Sequence, residues 1–302
     1  MDLAKSQGRN MVQIYDTFLA SKGRVRLDLD TALHKALERQ ELVLYYQPKI
    51  DLRTHRMVGV EALMRWQRGT QLVSPAEFIP LAETTGLINE MSLWAITQAA
   101  RQAKQWQAQF GFDASIAVNL PSRLFEQVDL VEQIEQILQR EEVSPRAIEL
   151  EITETGLMKD LQGVVPSLNR LNQIGVEISI DDFGTGYSSL AYLTSLPISE
   201  LKIDRSFVRD LGETPQSSAV VSAIIALARA LGLRVIAEGV ETTEQMEVLY
   251  GLGCHICQGF LFARPMPAGQ IVTWLNEVVN ANGLPRVEDS VNLPPPHLST
   301  SS

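Results

Sequence analysis

The sequence predicts an α/β fold, a modified (β/α)8 barrel in which the first strand runs antiparallel to the next. Three observations carry this. Apolar runs of strand character alternate with helical stretches from about residue 40 to 284, the pattern of parallel strands with helices outside. Eight such units in roughly 250 residues is the size of a barrel. The first two runs are joined only by "DLRTHRMV", which reads as a hairpin turn and not as a crossover helix. A doubly wound open sheet is the structural alternative, but the glycine-rich dinucleotide fingerprint is missing.

Taken in order, "LDLDTALHKALERQ" places Leu29, Leu33 and Leu37 at helical spacing and reads as a lead-in helix. The strand candidates are "ELVLYYQPKI", "VGVEALMRW", "ASIAVNLP", "AIELEITE", "GVEISIDDFG", "ELKIDRSFV", "RVIAEGVE" and "CHICQGFLF". In the fifth, Val176, Ile178 and Ile180 alternate with polar partners, the two-residue period of a half-buried strand. Helical stretches such as "MSLWAITQAARQAKQWQAQF" and "SSAVVSAIIALARALG" fall between them. The closing "EDSVNLPPPHLSTSS" has almost nothing to bury, so residues 285–302 are expected to be a disordered tail.

Bulk properties narrow the function. At 302 residues, 45% hydrophobic and 21% charged, the chain is an ordinary globular protein, and no apolar run approaches membrane-spanning length. The start, "MDLAKSQGRNMVQ", is too polar for a secretory signal. A net charge of -10 argues against a protein that grips long nucleic acid through its phosphates. A small anionic substrate fits only if cations screen the acids. Cys254 and Cys257 have C-x-x-C spacing but no second ligand pair for zinc, and they read as core thiols in a reducing cytoplasm. A continuous strand over "CHICQGFLFA" would send them to opposite faces.

In a barrel the chemistry sits at the C-terminal ends of the strands. Glu61 lies in the second strand candidate, Asn119 closes the third, and Glu151 and Glu154 end the fourth. Asp181 and Asp182 end the fifth, Lys202 and Asp204 lie in the sixth, Glu238 and Glu241 end the seventh, and Gln258 lies in the eighth. One strand glutamate, such as Glu149, is ordinarily solvated or salt-bridged. Six or more acids at one rim, with one lysine and two amides, are not explained that way, because burying them uncompensated is prohibitive. Oxygen ligands without thiolates favour Mg²⁺ or Mn²⁺ over zinc. Asp181 is placed to bridge two such ions with Asp182 on one of them, the usual arrangement for hydrolysing phosphate esters. Gly184 and Gly186 let the chain turn sharply beside them, so the loop is a candidate switch that presents or withdraws Asp182.

At these residues the chain resembles the EAL family of cyclic di-GMP phosphodiesterases, from about Leu42 to Leu275. The namesake triplet is Glu61-Ala62-Leu63 within "EALMRW", followed in order by "AVNLP", "EITE", "DDFGTGYSSL", "LKID", "AEGVE" and "QGFLFARP", with "YYQPKID" ahead of it. The resemblance implies a modified, TIM-like (β/α)8 barrel with an antiparallel first strand. It also implies metal-dependent hydrolysis of cyclic di-GMP to linear 5'-pGpG, which lowers a second messenger of motility and biofilm. Carried over by position, the metal ligands are Glu61, Asn119, Glu151, Asp181 and Asp182, with Glu238 holding the second metal or its water. Lys202 orients the attacking water. Glu238 is alternatively a general base, and the choice stays open. Gln47 lines the guanine side, Arg65 contacts a substrate phosphate, and Leu63 and Asp204 complete the substrate set. Glu154 braces the loop containing Thr185 and Gly186, while Glu241 and Gln258 stand behind the ligands. Mg²⁺ or Mn²⁺ would support turnover, and Ca²⁺ would occupy the site and inhibit.

Family members often dimerise beside this loop, so a homodimer is expected. A non-catalytic cyclic di-GMP receptor is the alternative function, and a divalent-metal lyase or isomerase a third. The segment "DLAKSQGRNMVQIYD" resembles the end of a GGDEF domain. The resulting expectation is a GGDEF remnant and linker over 1–25 and an EAL barrel over 26–284. Any sensor would lie upstream, and the location would be the cytoplasm or the cytoplasmic part of a membrane-anchored sensor.

Overall fold

The computed structural model describes residues 29–111, 114–186, 190–212 and 215–281. The expected GGDEF remnant and the C-terminal tail lie outside them. The chain divides into two compact units, a smaller one of residues up to Val43 with Arg65–Ile88, and a larger one of Leu44–Met64 with Asn89 onward.

Ten strands form among the described residues: β1 (Leu42–Asp51), β2 (Arg56–Arg68), β3 (Gln71–Val73), β4 (Ser115–Asn119), β5 (Ile148–Thr153), β6 (Glu177–Phe183), β7 (Glu200–Ile203), β8 (Arg234–Ala237), β9 (Ile256–Cys257) and β10 (Met266–Pro267). Eight of them close on themselves in the order β1-β9-β8-β7-β6-β5-β4-β2, with β2 returning to β1. Every neighbour from β2 through β4 to β9 is parallel, and β1 runs antiparallel to β9. The expected barrel with its reversed first strand is therefore observed, and a turn at 52–55 joins β1 to β2. The short β3 and β10 were not expected. The last two barrel strands are shorter than their sequence runs, because β8 stops at Ala237 and β9 holds two residues. No described helix is long and apolar enough to cross a membrane.

In the smaller unit the last residues of β2 pair with β3, Trp66 opposite Val73. Trp66 is fully buried, stands edge-on to Phe78 of helix Pro75–Thr85 at 6.0 Å, and donates its indole N–H to Glu41 at 2.9 Å. That bond satisfies the polar atom of an otherwise apolar side chain. The described part of the lead-in helix is short, spanning 29–33 before a run of turns.

In the larger unit the strands have two different faces. Leu150 and Ile152, Ile178 and Ile180, and Leu201 and Ile203 belong to one apolar cluster with Ala95, Ile96 and Ala99 of helix Leu87–Phe110 and Leu168 and Leu171 of helix Leu161–Ile174. Successive strand side chains alternate in direction, so Glu149, Glu151, Ser179, Asp181, Glu200 and Lys202 take the opposite face, inside the barrel. Barrels of this architecture ordinarily fill that space with branched apolar layers. Here it holds charge. Lys49 of β1 reaches Glu149 at 3.1 Å, Glu151 at 3.1 Å and Glu200 at 3.5 Å. Glu149, a residue the sequence left as an ordinary strand glutamate, is salt-bridged and buried. Burial opposes its ionisation, but Lys49 and the neighbouring hydrogen bonds prevail and hold it at about 2, while burial and the charge of Glu149 push Glu200 up to about 7.

The thiols also differ from expectation. Residues 254 and 255 precede β9, so the strand period does not apply to Cys254, whose thiol donates to the Ile256 carbonyl at 3.4 Å; both cysteines are buried, as core thiols should be. The nearby Cys254 side chain and burial raise the Cys257 thiol well above its ordinary value.

Replacing Lys49 strands three buried carboxylates. K49M is expected to lose about 3–5 kcal/mol of folding stability by urea titration. An unchanged midpoint would show that Lys49 does not hold this interior together.

Candidate active site

At the C-terminal ends of the parallel strands, four carboxylates converge on one ammonium. Lys202 Nζ lies 2.6 Å from Glu238, 2.7 Å from Glu151, 3.2 Å from Asp181 and 3.6 Å from Glu61. Its side chain is 0% exposed. An ammonium has three donors, and the three short contacts account for them. Each acid comes from a different strand or strand end, so only barrel closure brings them together. Burial opposes the charge on Lys202, but the four acids outweigh it and raise its pKa well above the ordinary value.

Amides fix the outer acid. Asn119 donates to Glu61 Oε1 at 2.8 Å and Gln258 to Glu61 Oε2 at 2.6 Å, so both carboxylate oxygens are held. Gln258 also donates to Gln47 at 3.1 Å, and Gln47 donates onward to the Ala263 carbonyl at 3.0 Å. Burial opposes ionisation of Glu61, but Lys202 and these amides hold its pKa below the usual range. Glu151 divides its oxygens between two lysines, Oε1 accepting from Lys49 and Oε2 from Lys202.

Asp181, Asp182 and Glu238 each offer a carboxylate oxygen, all within 4.8 Å of one another. One lysine does not balance them. Burial and the negative charge of Asp181 push Asp182 up to about 6, with Asp204 adding to the shift. Burial pushes Glu238 up to about 8 against the pull of Lys202, and burial with the charge of Glu61 raises Glu151 well above the usual range. Crowded oxygen donors short of positive charge are the chemistry of a hard divalent cation site, and these residues fit one.

The turn after β6 is held from below. The register with β7 shifts between Ile180 and Phe183, and Asp182 has φ 54°, so the backbone is bulged at the acid pair. The Asp182 N–H donates to the Asp181 side chain at 2.9 Å, and Thr185 Oγ1 donates to the Asp182 carbonyl at 2.8 Å. Glu154, buried at the start of helix Glu154–Lys159, accepts the Gly184 N–H at 2.7 Å. The two glycines serve different needs. Gly184 has φ 97°, which L side chains rarely adopt. Gly186 lacks a positive φ, but a Cβ there would stand 3.0 Å from the Glu154 carboxylate. Residues 187–189 of the loop lie outside the described residues.

Of the residues named from sequence, Glu61, Asn119, Glu151, Asp181, Lys202, Glu238 and Gln258 are joined in one contact network, with Asp182 and Asp204 beside it and Gln47 at its edge. Leu63 is half-buried on β2. Arg65 belongs to the smaller unit. The Glu241 side chain is exposed, and its contribution is a backbone N–H donated to Gln245 at 2.8 Å. Sequence reasoning missed Lys49 and Glu200. The two-residue period relating Lys49 to Gln47 and Glu200 to Lys202 puts each on the same strand face as a named site residue, although it does not say which strands meet.

A family model described as the EAL domain matches residues 30–265, and the chain belongs to that family. It is 46% identical over 270 residues to the bifunctional diguanylate cyclase/cyclic di-GMP phosphodiesterase MucR of Pseudomonas aeruginosa, covering 89% of this chain and 39% of that protein. It is 44% identical over 248 residues to another cyclic di-GMP phosphodiesterase of the same organism, covering 81% of this chain and 42% of that protein. The chain thus spans about two fifths of the length of these curated relatives. A solved structure of the MucR phosphodiesterase in complex with c-di-GMP matches with a TM-score of 0.78 at 48% identity, over 81% of this chain and 99% of that one.

Removing the brace under the turn tests its role in cation binding. E154A is expected to weaken Mn²⁺ affinity about 10- to 100-fold, read from the paramagnetic resonance of free Mn²⁺. Undiminished affinity would show that the acid pair is positioned without Glu154.

Proposed function

We propose that this chain is a cyclic di-GMP phosphodiesterase that hydrolyses its substrate to linear 5'-pGpG. The observation that carries the reading is the meeting of Asp181, Asp182 and Glu238, with Lys202 against Asp181 and Glu238, at the C-terminal end of the strands in a barrel of this family. The names of the relatives and of the matching complex support it. Glu61, Asn119, Glu151, Asp181, Asp182 and Glu238 would hold two divalent cations, Mg²⁺ or Mn²⁺. Such ions supply water acidified to near neutral pH and charge neutralisation on the phosphate.

The chain's own residues do the rest. Gln258 and Asn119 fix Glu61 in one rotamer, so that a donor oxygen is preorganised. Lys202 keeps mutually repelling carboxylates together, offsets negative charge growing on the phosphate, and orients the attacking water. Glu238 either holds the second cation or its water, or accepts the proton of that water. In the reaction the water oxygen joins phosphorus, the bond from phosphorus to one ribose 3'-oxygen breaks, and that oxygen leaves with a proton. Leu63, Arg65, Asp204 and Gln47 are assigned to substrate. Thr185 and Gly186 belong to the turn that sets the pose of Asp182, and Gln258 stands behind Glu61, while Glu241 acts through its backbone N–H on Gln245.

The same reading places the chain in the cytoplasm as the EAL portion of a longer protein with an upstream GGDEF domain. It also assigns a homodimer formed beside the turn after β6, where Tyr192 is 49% exposed.

With Mg²⁺ or Mn²⁺, purified protein is expected to convert cyclic di-GMP to pGpG by chromatography, and EDTA or Ca²⁺ is expected to stop it. E61A or D181A is expected to lose more than the about 10- to 100-fold typical of residues behind the ligands, while Q258A falls within that range. Tight binding without product would identify a receptor instead. Wild-type turnover by D181A would overturn the site assignment.

A further inference from the structure

At the other end of the barrel the sign of the charge reverses. A concavity of about 330 Å³ opens where β8 and β9 begin and β1 ends, lined by Arg53, Arg229, Arg234 and His255. No role follows for it from hydrolysis at the opposite end. Two of its cations are neutralised locally. Arg53 forks onto Asp51, with its nearest contact at 2.8 Å, and Arg234 pairs with Glu177 and with Glu200 at 3.3 Å.

The other two groups have no such carboxylate partner among the described residues. Arg229, from the last turn of helix Pro215–Ala230, makes no ion pair among the described residues. Its guanidinium lies over Gly253, where a Cβ would sit 2.5 Å from Nη2, so a side chain at 253 would displace it. His255 stands edge-on to Tyr250 at 5.1 Å, and its buried Nδ1 has no hydrogen-bond partner. Burial and the positive charges of Arg53 and Arg229 lower the His255 pKa, and Asp51 opposes them only in part. The remaining wall is apolar, formed by Ile225, Leu233, Val235 and Ile256.

Converging guanidiniums with their planar forks recognise phosphate oxygens, and a volume near 300 Å³ is the lower end for small-molecule sites. We propose that this pocket binds a small phosphorylated anion, with Arg229 as the principal contact and His255 as a hydrogen-bonding partner. The apolar wall suits a compact organic body attached to the phosphate. Arg53 and Arg234 already have carboxylate partners, so they contribute field more than direct contact.

Metal-free protein separates the two ends, because the uncompensated acids at the catalytic end repel anions. Calorimetric titration of the EDTA-treated full chain with inorganic phosphate and with guanosine 5'-monophosphate is expected to show saturable one-to-one binding of at least the nucleotide. R229Q is expected to weaken it about 10- to 100-fold, the loss of a charge-assisted hydrogen bond. D181N is expected to leave it unchanged. Arg229 is exposed, so R229Q should fold, and its thermal midpoint checks this. Binding of inorganic phosphate as well would show that the phosphate group alone is recognised, in support of the proposal. Absence of saturable binding by either probe, equal binding by R229Q, or loss of binding in D181N would overturn it.

Discussion

The interior of this barrel is organised by two buried ammonium groups that share one carboxylate. Glu151 stands between Lys49 and Lys202, with one oxygen on each. Placing charges in a closed, water-poor space is costly unless every one is paired. That constraint fixes the strand register, since a one-residue slip of β5 would turn Glu149 and Glu151 outward, leaving Lys49 only Glu200 and taking Glu151 from Lys202. It also explains why the apolar core lies between strands and helices and not inside the barrel.

Positive charge is short along the whole interior, in the middle, where Glu200 is pushed up to about 7, and at the catalytic end. Lys202 serves four acids, and the shortage is visible in the raised values of Asp182 and Glu238. A site built this way takes up positive charge, as a proton on Asp182 or Glu238 or as a divalent cation among them. The bulged strand and the Glu154 brace serve the same end, turning Asp182 out of the regular strand direction while fixing the backbone that carries it.

Charge continuity links the two ends. Arg234 touches Glu200, Glu200 touches Lys49, Lys49 touches Glu151, and Glu151 touches Lys202. The protein is acidic overall, with basic groups gathered at the N-terminal end of the strands and acids at the other. The two ends therefore favour ligands of opposite charge.

Much of this was legible in the sequence. Alternation of strand and helix gave the barrel, and the short link after the first strand gave its reversal, because both depend on local patterns of spacing and turn length. The acids at Glu61, Glu151, Asp181 and Glu238 stood out because charge inside apolar runs is costly. Lys49 and Glu200 did not stand out. Lys49 meets Glu149 across 100 residues of chain and from a strand running the other way. A two-residue period says which side chains share a face, but only closure of the barrel decides which faces meet. The positive partner of the acid pair is the same case. The sequence determined that Asp181 and Asp182 need a counter-charge. Tertiary structure decided that the nearest fixed one is Lys202, 3.2 Å away, because adjacent parallel strands bring together residues that chain order keeps apart.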